Sequence, residues 1–183
     1  MTEFSKDLLQ YYDKYRRVLP WREDPKPYHV WISEIMLQQT RVDTVISFYE
    51  RFLKELPTVK DLAYAEEEKL LKLWQGLGYY SRVRNMKKAA LQIMEDFGGK
   101  IPESKKELIK LSGIGPYTAG AIASIAFNKK ETCIDGNFLR VMSRVLAQGG
   151  DPREKENFKR IEEETFNRMD ENRPGDFNQA MMD

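Results

Sequence analysis

The segment from Leu111 to Asp135 constrains the fold more than any other part of the chain. It reads Leu-Ser-Gly-Ile-Gly-Pro-Tyr-Thr-Ala-Gly, passes through an apolar run, and reaches Cys-Ile-Asp. Two glycines one residue apart, Gly113 and Gly115, specify a tight turn that a Cβ would crowd. Pro116 suits the first position of a helix, where a missing N–H is tolerated. Tyr117 to Phe127 is small and apolar enough to be a buried helix. The unit is therefore helix, hairpin, helix. Amides clustered at a hairpin and a helix N-terminus, here around Gly113, Gly115, Tyr117 and Thr118, favour an anion such as a phosphate. Asp135 follows eighteen residues after Tyr117 and can fold back towards the same place.

The rest of the chain also reads as helix. Phe4, Leu8, Leu9, Tyr12 and Tyr15 recur at helical spacing. Three prolines make Leu19 to Tyr28 a loop carrying Trp21 and Arg22. Val30–Gln39 and Val42–Leu53 are predicted helices, with a break at Pro57, and Leu62–Trp74 is a third. Val83–Phe97, a short helix capped by Ser104, Asn137–Leu146 and Glu154–Met169 follow. No strand alternation and no repeat is evident, so the fold class is all-α. A chain of 183 residues can bury one good core or two small lobes.

Composition excludes several chemistries. One cysteine, Cys133, rules out an internal disulfide and a cysteine-ligated metal within these residues. With His29 the single histidine, composition also argues against zinc sites and Ser-His or Cys-His triads. No apolar run approaches a membrane span and the first residues lack the apolar core of a signal peptide, so the expected address is the cytoplasm, with no membrane partner. Net charge is only +1. Its distribution is uneven: residues 1–149 carry five more basic than acidic side chains, and residues 150–176 three more acidic than basic. That bias permits contact with a polyanion without requiring it.

Glu34 stands inside an otherwise apolar segment, Trp-Ile-Ser-Glu-Ile-Met-Leu-Gln-Gln-Thr at 31–40. Helical neighbours Val30, Trp31, Leu37 and Gln38 would bury it, raising its pKa and making it a general acid near neutral pH. With Asp135 there are then two carboxyls in different settings, one kept protonated and one ionised. That arrangement breaks glycosidic bonds through an oxocarbenium-like transition state.

These segments together resemble the adenine DNA glycosylase (MutY) family, within the helix-hairpin-helix DNA glycosylases. The likeness rests on Leu-Pro-Trp-Arg at 19–22, residues 31–40, Gly-Leu-Gly-Tyr-Tyr-Ser-Arg at 76–82 and Leu-Ser-Gly-Ile-Gly-Pro-Tyr-Thr-Ala-Gly at 111–120. Ile-Asp-Gly-Asn at 134–137 and Phe-Asn-Gln-Ala-Met-Met-Asp at 177–183 complete it. The resemblance implies an enzyme that removes adenine opposite 8-oxoguanine or G from double-stranded DNA, acting as a monomer. Glu34 would protonate adenine, Asp135 would stabilise the sugar cation, and Tyr117 and Asn137 would hold the centre. Trp21, Arg22 and Gln179 would line the adenine pocket. Gln39 and Tyr79 would wedge into the duplex while Thr40 and Leu77 face 8-oxoguanine. Carbonyls of Ile109, Leu111 and Ile114 would hold a sodium or potassium ion at the hairpin. Where the similar endonuclease III family has a lysine that forms a Schiff base and nicks the strand, this chain has Tyr117. A phenol of pKa about 10 cannot do that, so strong lyase activity is not expected.

The resemblance also implies two lobes: residues 20–130, a six-helix barrel with the hairpin at about 107–127, and residues 1–19 with 131–183. Family members continue into a four-cysteine loop that binds a 4Fe-4S cluster and a domain that reads 8-oxoguanine. Those cysteines are absent from this sequence, which leaves a fragment and a natural short form both open. A helix over Phe177–Asp183 would then expose apolar surface. The rival readings are a glycosylase of other base specificity, such as one acting on G·T mispairs, and an inactive DNA-binding fragment.

Overall fold

The computed structural model describes residues 2–183, and among them the chain forms helices and no strand. In chain order these are α1 (Glu3–Tyr15), α2 (Pro20–Glu23), α3 (Pro27–Leu37), α4 (Val42–Glu55), α5 (Val59–Tyr64) and α6 (Glu67–Trp74). They continue with α7 (Ser81–Asp96), α8 (Lys105–Leu108), α9 (Pro116–Phe127), α10 (Gly136–Val145), α11 (Lys155–Arg168) and α12 (Pro174–Met182). No helix is long and apolar enough to cross a membrane among the described residues.

Two stretches differ from the sequence expectation. The proline-rich segment 19–28 is not a loop throughout. Pro20 and Pro27 each open a helix, since a proline in the first turn loses no hydrogen bond. The expected helix over Leu62–Trp74 is two helices. Thr58 and Asp61 form a capping box that starts α5 early, and the chain turns extended at Ala65 before Glu67 and Glu68 open α6.

Buried apolar side chains fall into two clusters. The larger runs from Leu19 to Ala123 and holds Trp31, Phe52 and Trp74. The smaller joins Leu9 of α1 to Phe138, Met142, Ile161, Phe177 and Met181. Helices α3 and α9 are buried nearly all round, as expected of helices apolar on every face. They pack on one another, and α12 packs on α9 and α1. The α9–α12 crossing is close at Gly175, where a Cβ would lie 2.7 Å from the Ser124 carbonyl oxygen. Asn178 donates to Ser124 Oγ and to the Glu131 carbonyl, both at 2.8 Å. This seam carries Gln179 and Met182 up to the first turn of α9. The bare apolar surface expected on the last helix is not there, because Phe177, Ala180 and Met181 are all buried.

Candidate active site

Glu34 sits in the middle of α3, buried to 7% exposure. It lines a cavity of about 90 Å³ with Trp21 and Arg22 of α2, Tyr117 of α9, and Gln179 and Met182 of α12. Burial pushes the Glu34 carboxyl up to about 7. A hydrogen bond from Tyr117 and the charge of Arg22 oppose that rise, and the Asp135 carboxylate adds to it. At neutral pH the group is therefore divided between acid and carboxylate.

The Tyr117 hydroxyl donates to Met182 Sδ at 3.1 Å and lies close enough to Glu34 to lower that carboxyl's proton affinity. Burial and the nearby Glu34 charge push the Tyr117 phenol far above its usual range, so it acts as a donor and never as a base. Cys133 is fully buried beside the same carboxyls. Burial, then the charges of Glu34 and Asp135, keep it a thiol.

Asp135 is the N-cap of α10. Its Oδ1 accepts from the Phe138 amide at 2.7 Å, and Asn137 Nδ2 lies 3.4 Å from its Oδ2. The cap fixes the carboxylate in one orientation, with Oδ2 towards Asn137. Arg22 grips Asp183 with both terminal nitrogens, at 2.8 and 3.0 Å, and Arg17 reaches the same carboxylate at 2.6 Å. Burial alone would raise the Asp183 carboxyl, but the hydrogen bonds from Arg22 and Arg17 hold it below the usual range. Arg22 Nε is buried without a hydrogen-bond partner among the described residues.

The hairpin follows α8, whose N-cap Ser104 accepts from the Glu107 amide. Gly113 has φ +75°, and a Cβ there would lie 2.7 Å from Asn85 Cβ. Gly115 differs from the sequence expectation: its backbone is extended and a Cβ would meet open space. The first bond of α9 runs from Ala119 N to Gly115 O, so the Tyr117 and Thr118 amides precede it and have no partner within the helix. The Thr118 side chain is buried. Among the carbonyls expected to hold a cation, that of Leu111 already accepts from the Ile114 amide at 3.1 Å, and the Ile109 side chain is exposed.

Gln39 and Tyr79 stand on two adjacent turns at φ +57° and +48°. Both are exposed, Tyr79 to 65%. A left-handed backbone costs a residue with a Cβ about 1–2 kcal/mol, and such strain gathers at working surfaces. Leu77 is buried and Thr40 half-buried beneath them. Sequence reasoning missed four participants: Arg17, Met182, Asp183 and Arg82. The last stands two residues after the glycine- and tyrosine-rich turn, and a cation placed there was the available signal.

No cluster of three or more His, Cys, Asp or Glu suited to a metal occurs among the described residues. With one cysteine, itself buried in the core, these residues do not fit an iron–sulfur cluster.

A helix-hairpin-helix set against a cavity that holds a buried carboxyl defines a DNA-processing class of all-helical protein. The chain belongs to the HhH-GPD superfamily of base excision DNA repair proteins, whose family profile matches residues 32–165. It is 45% identical to the adenine DNA glycosylase of Rattus norvegicus over its whole length, covering 37% of that protein. Against the adenine DNA glycosylase of Buchnera aphidicola subsp. Baizongia pistaciae it is 46% identical over 77% of its length, covering 40% of that protein. The chain thus spans well under half the length of these curated relatives. Among solved structures, a thermostable thymine-DNA glycosylase superposes with a TM-score of 0.89 at 29% identity, covering 98% of this chain and 82% of that one.

Proposed function

We propose that this chain is the catalytic portion of a DNA glycosylase that removes adenine paired with 8-oxoguanine or G from duplex DNA, without strong lyase activity. The observation that carries the reading is the Glu34 carboxyl, buried at the cavity and raised to about 7. Its proton goes to N7 of an extruded adenine. The C1′–N9 bond then breaks with its electron pair leaving on the base. Asp135 stabilises the sugar cation, or bonds to it briefly, until a water oxygen adds to C1′ and the water's proton passes to a carboxylate. Tyr117 and Asn137 hold the two acids in place.

Trp21, Arg22 and Gln179 form the adenine pocket. Gln39 and Tyr79 fill the space the adenine leaves, with Thr40 and Leu77 against the opposing base. Hairpin amides around Gly113, Gly115, Tyr117 and Thr118 grip a DNA phosphate, aided by a sodium or potassium ion on the carbonyls of Ile109, Leu111 and Ile114. The protein acts as a monomer in the cytoplasm. Tyr117 offers a phenol and no amine for a Schiff base with the sugar.

Likeness to a thymine-DNA glycosylase structure favours a second reading, excision of thymine from G·T mispairs. A pyrimidine has no N7 for Glu34 to protonate, and identity to the adenine enzymes is higher. Single-turnover assays on duplexes bearing A·8-oxoguanine, A·G and G·T decide between them. Base release from the first two alone is expected. Release from G·T alone would reverse the reading, and binding without release from any would mean an inactive fragment.

A further inference from the structure

The two strained turns have one anchor in common. Arg82, in the first turn of α7, directs Nη1 to three carbonyls at the end of α3 and its following turn: Ile35 at 2.9 Å, Met36 at 3.2 Å and Gln38 at 2.6 Å. Its Nη2 reaches the carbonyls of Leu77 at 3.0 Å and Gly78 at 3.3 Å. The guanidinium carbon also lies over the rings of Trp74 and Tyr79, at 5.3 and 5.7 Å from their centroids. The α3 carbonyls are those a helix end leaves without partners, and a cation there is favoured by the helix dipole. A planar fork can satisfy so many acceptors on two segments at once, whereas an ammonium cannot.

Gln39 and Tyr79, the residues held at positive φ, stand at the tips of the two segments that Arg82 joins. The same helix reaches the hairpin as well, since Ser112 Oγ donates to Asn85 Oδ1 and its amide to Gln92 Oε1. We propose that Arg82 is a positioning residue that locks the 38–40 and 77–80 turns into a single rigid wedge and ties that wedge to the helix bearing Glu34. This rests on the reading that those turns enter the duplex where a base is extruded. Neither turn has another side chain that bonds across to its neighbour's backbone among the described residues.

The test compares Arg82→Lys with the parent in single turnover on two duplexes. One carries adenine opposite 8-oxoguanine. The other carries adenine opposite a tetrahydrofuran residue, which has no partner base and leaves the opposing space empty. A displaced wedge is expected to slow the first by about 100-fold and the second by no more than about threefold. Equal slowing on both, or none on either, would overturn the proposal. If the parent excises from neither duplex, the glycosylase reading fails, a result distinct from any effect of Arg82. Should Arg82→Lys fail to fold, nitrogen-15 NMR of the parent decides. Resolved, slowly exchanging Nη protons of Arg82 are expected in the free protein, and a single averaged, fast-exchanging signal would refute a locked anchor.

Discussion

Arg22 holds the Asp183 carboxylate by both of its terminal nitrogens, at 2.8 and 3.0 Å, in a place where neither side chain is more than 10% exposed. Arg22 also lowers the proton affinity of Glu34. One arginine therefore links the end of α12 to the acid at the centre of the cavity.

Removing one partner of that pair strands the other. Asp183→Asn leaves the Arg22 charge buried and uncompensated, which costs about 3 kcal/mol for a pair this well covered. In a chain of this size that is a fall in melting temperature of roughly 6–12 °C. An unchanged melting curve would mean that Arg17 and Arg22 find other partners.

The hairpin glycines separate stability from binding. Gly113→Ala meets both a left-handed backbone and the Asn85 side chain, so it should destabilise by at least about 2 kcal/mol. Gly115→Ala meets nothing within the protein and should leave the melting temperature unchanged. Its added methyl would instead stand where a phosphate approaches, weakening DNA binding measured by fluorescence anisotropy. If both variants melt and bind alike, the hairpin does not contact DNA in this way.

Much of this was legible in the residues. The helices around Glu34 and the Gly-Ile-Gly-Pro turn carry strong local signals: an apolar run on every face, a proline at a helix start, and a glycine at positive φ. Burial of Glu34 followed from its neighbours. Harder to see were contacts that depend on helices distant in sequence meeting. Nothing near Asp183 announces that it reaches Arg22, and a cation just after the glycine- and tyrosine-rich turn is the one hint that Arg82 caps α3. The tip tyrosine, Tyr79, which the resemblance makes a wedge, lies exposed on a turn at positive φ. Gly115 misled, because adjacency to Gly113 suggested a steric need that only Gly113 has.

Tyr117 lowers the Glu34 pKa by hydrogen bonding to its ionised form. Tyr117→Phe removes that bond, so Glu34 should hold its proton to higher pH. The falling limb of the excision–pH profile should move upward from about 7. A limb unmoved, or moved down, would place the Tyr117 hydroxyl elsewhere.

Tyr117→Lys tests the same position for chemistry. An amine there can form a Schiff base with the exposed sugar, trappable by borohydride as a protein–DNA adduct, while the parent traps none. Failure of the variant to trap would mean that residue 117 does not face the sugar.

Glu34 also shapes stability. Its pKa rises from 4.5 to about 7 on folding, so the folded state binds the proton more tightly than the unfolded one. Stability from this group is complete below pH 4.5 and is lost as pH climbs through 7. The loss amounts to about 3 kcal/mol. Glu34→Gln, which has nothing to ionise, should therefore melt higher than the parent at pH 8 and show a smaller gain at pH 4. A gain that does not grow with pH would place the Glu34 carboxyl in water.

The most direct test is the single-turnover rate of adenine release from an A·8-oxoguanine duplex, for the parent and Glu34→Gln, with binding measured on the same duplex. An amide keeps the shape of the acid and cannot donate its proton. The account predicts equal binding and a rate lowered by about 100-fold or more in the variant. A Glu34→Gln rate within about tenfold of the parent would contradict the assignment of Glu34 as the acid.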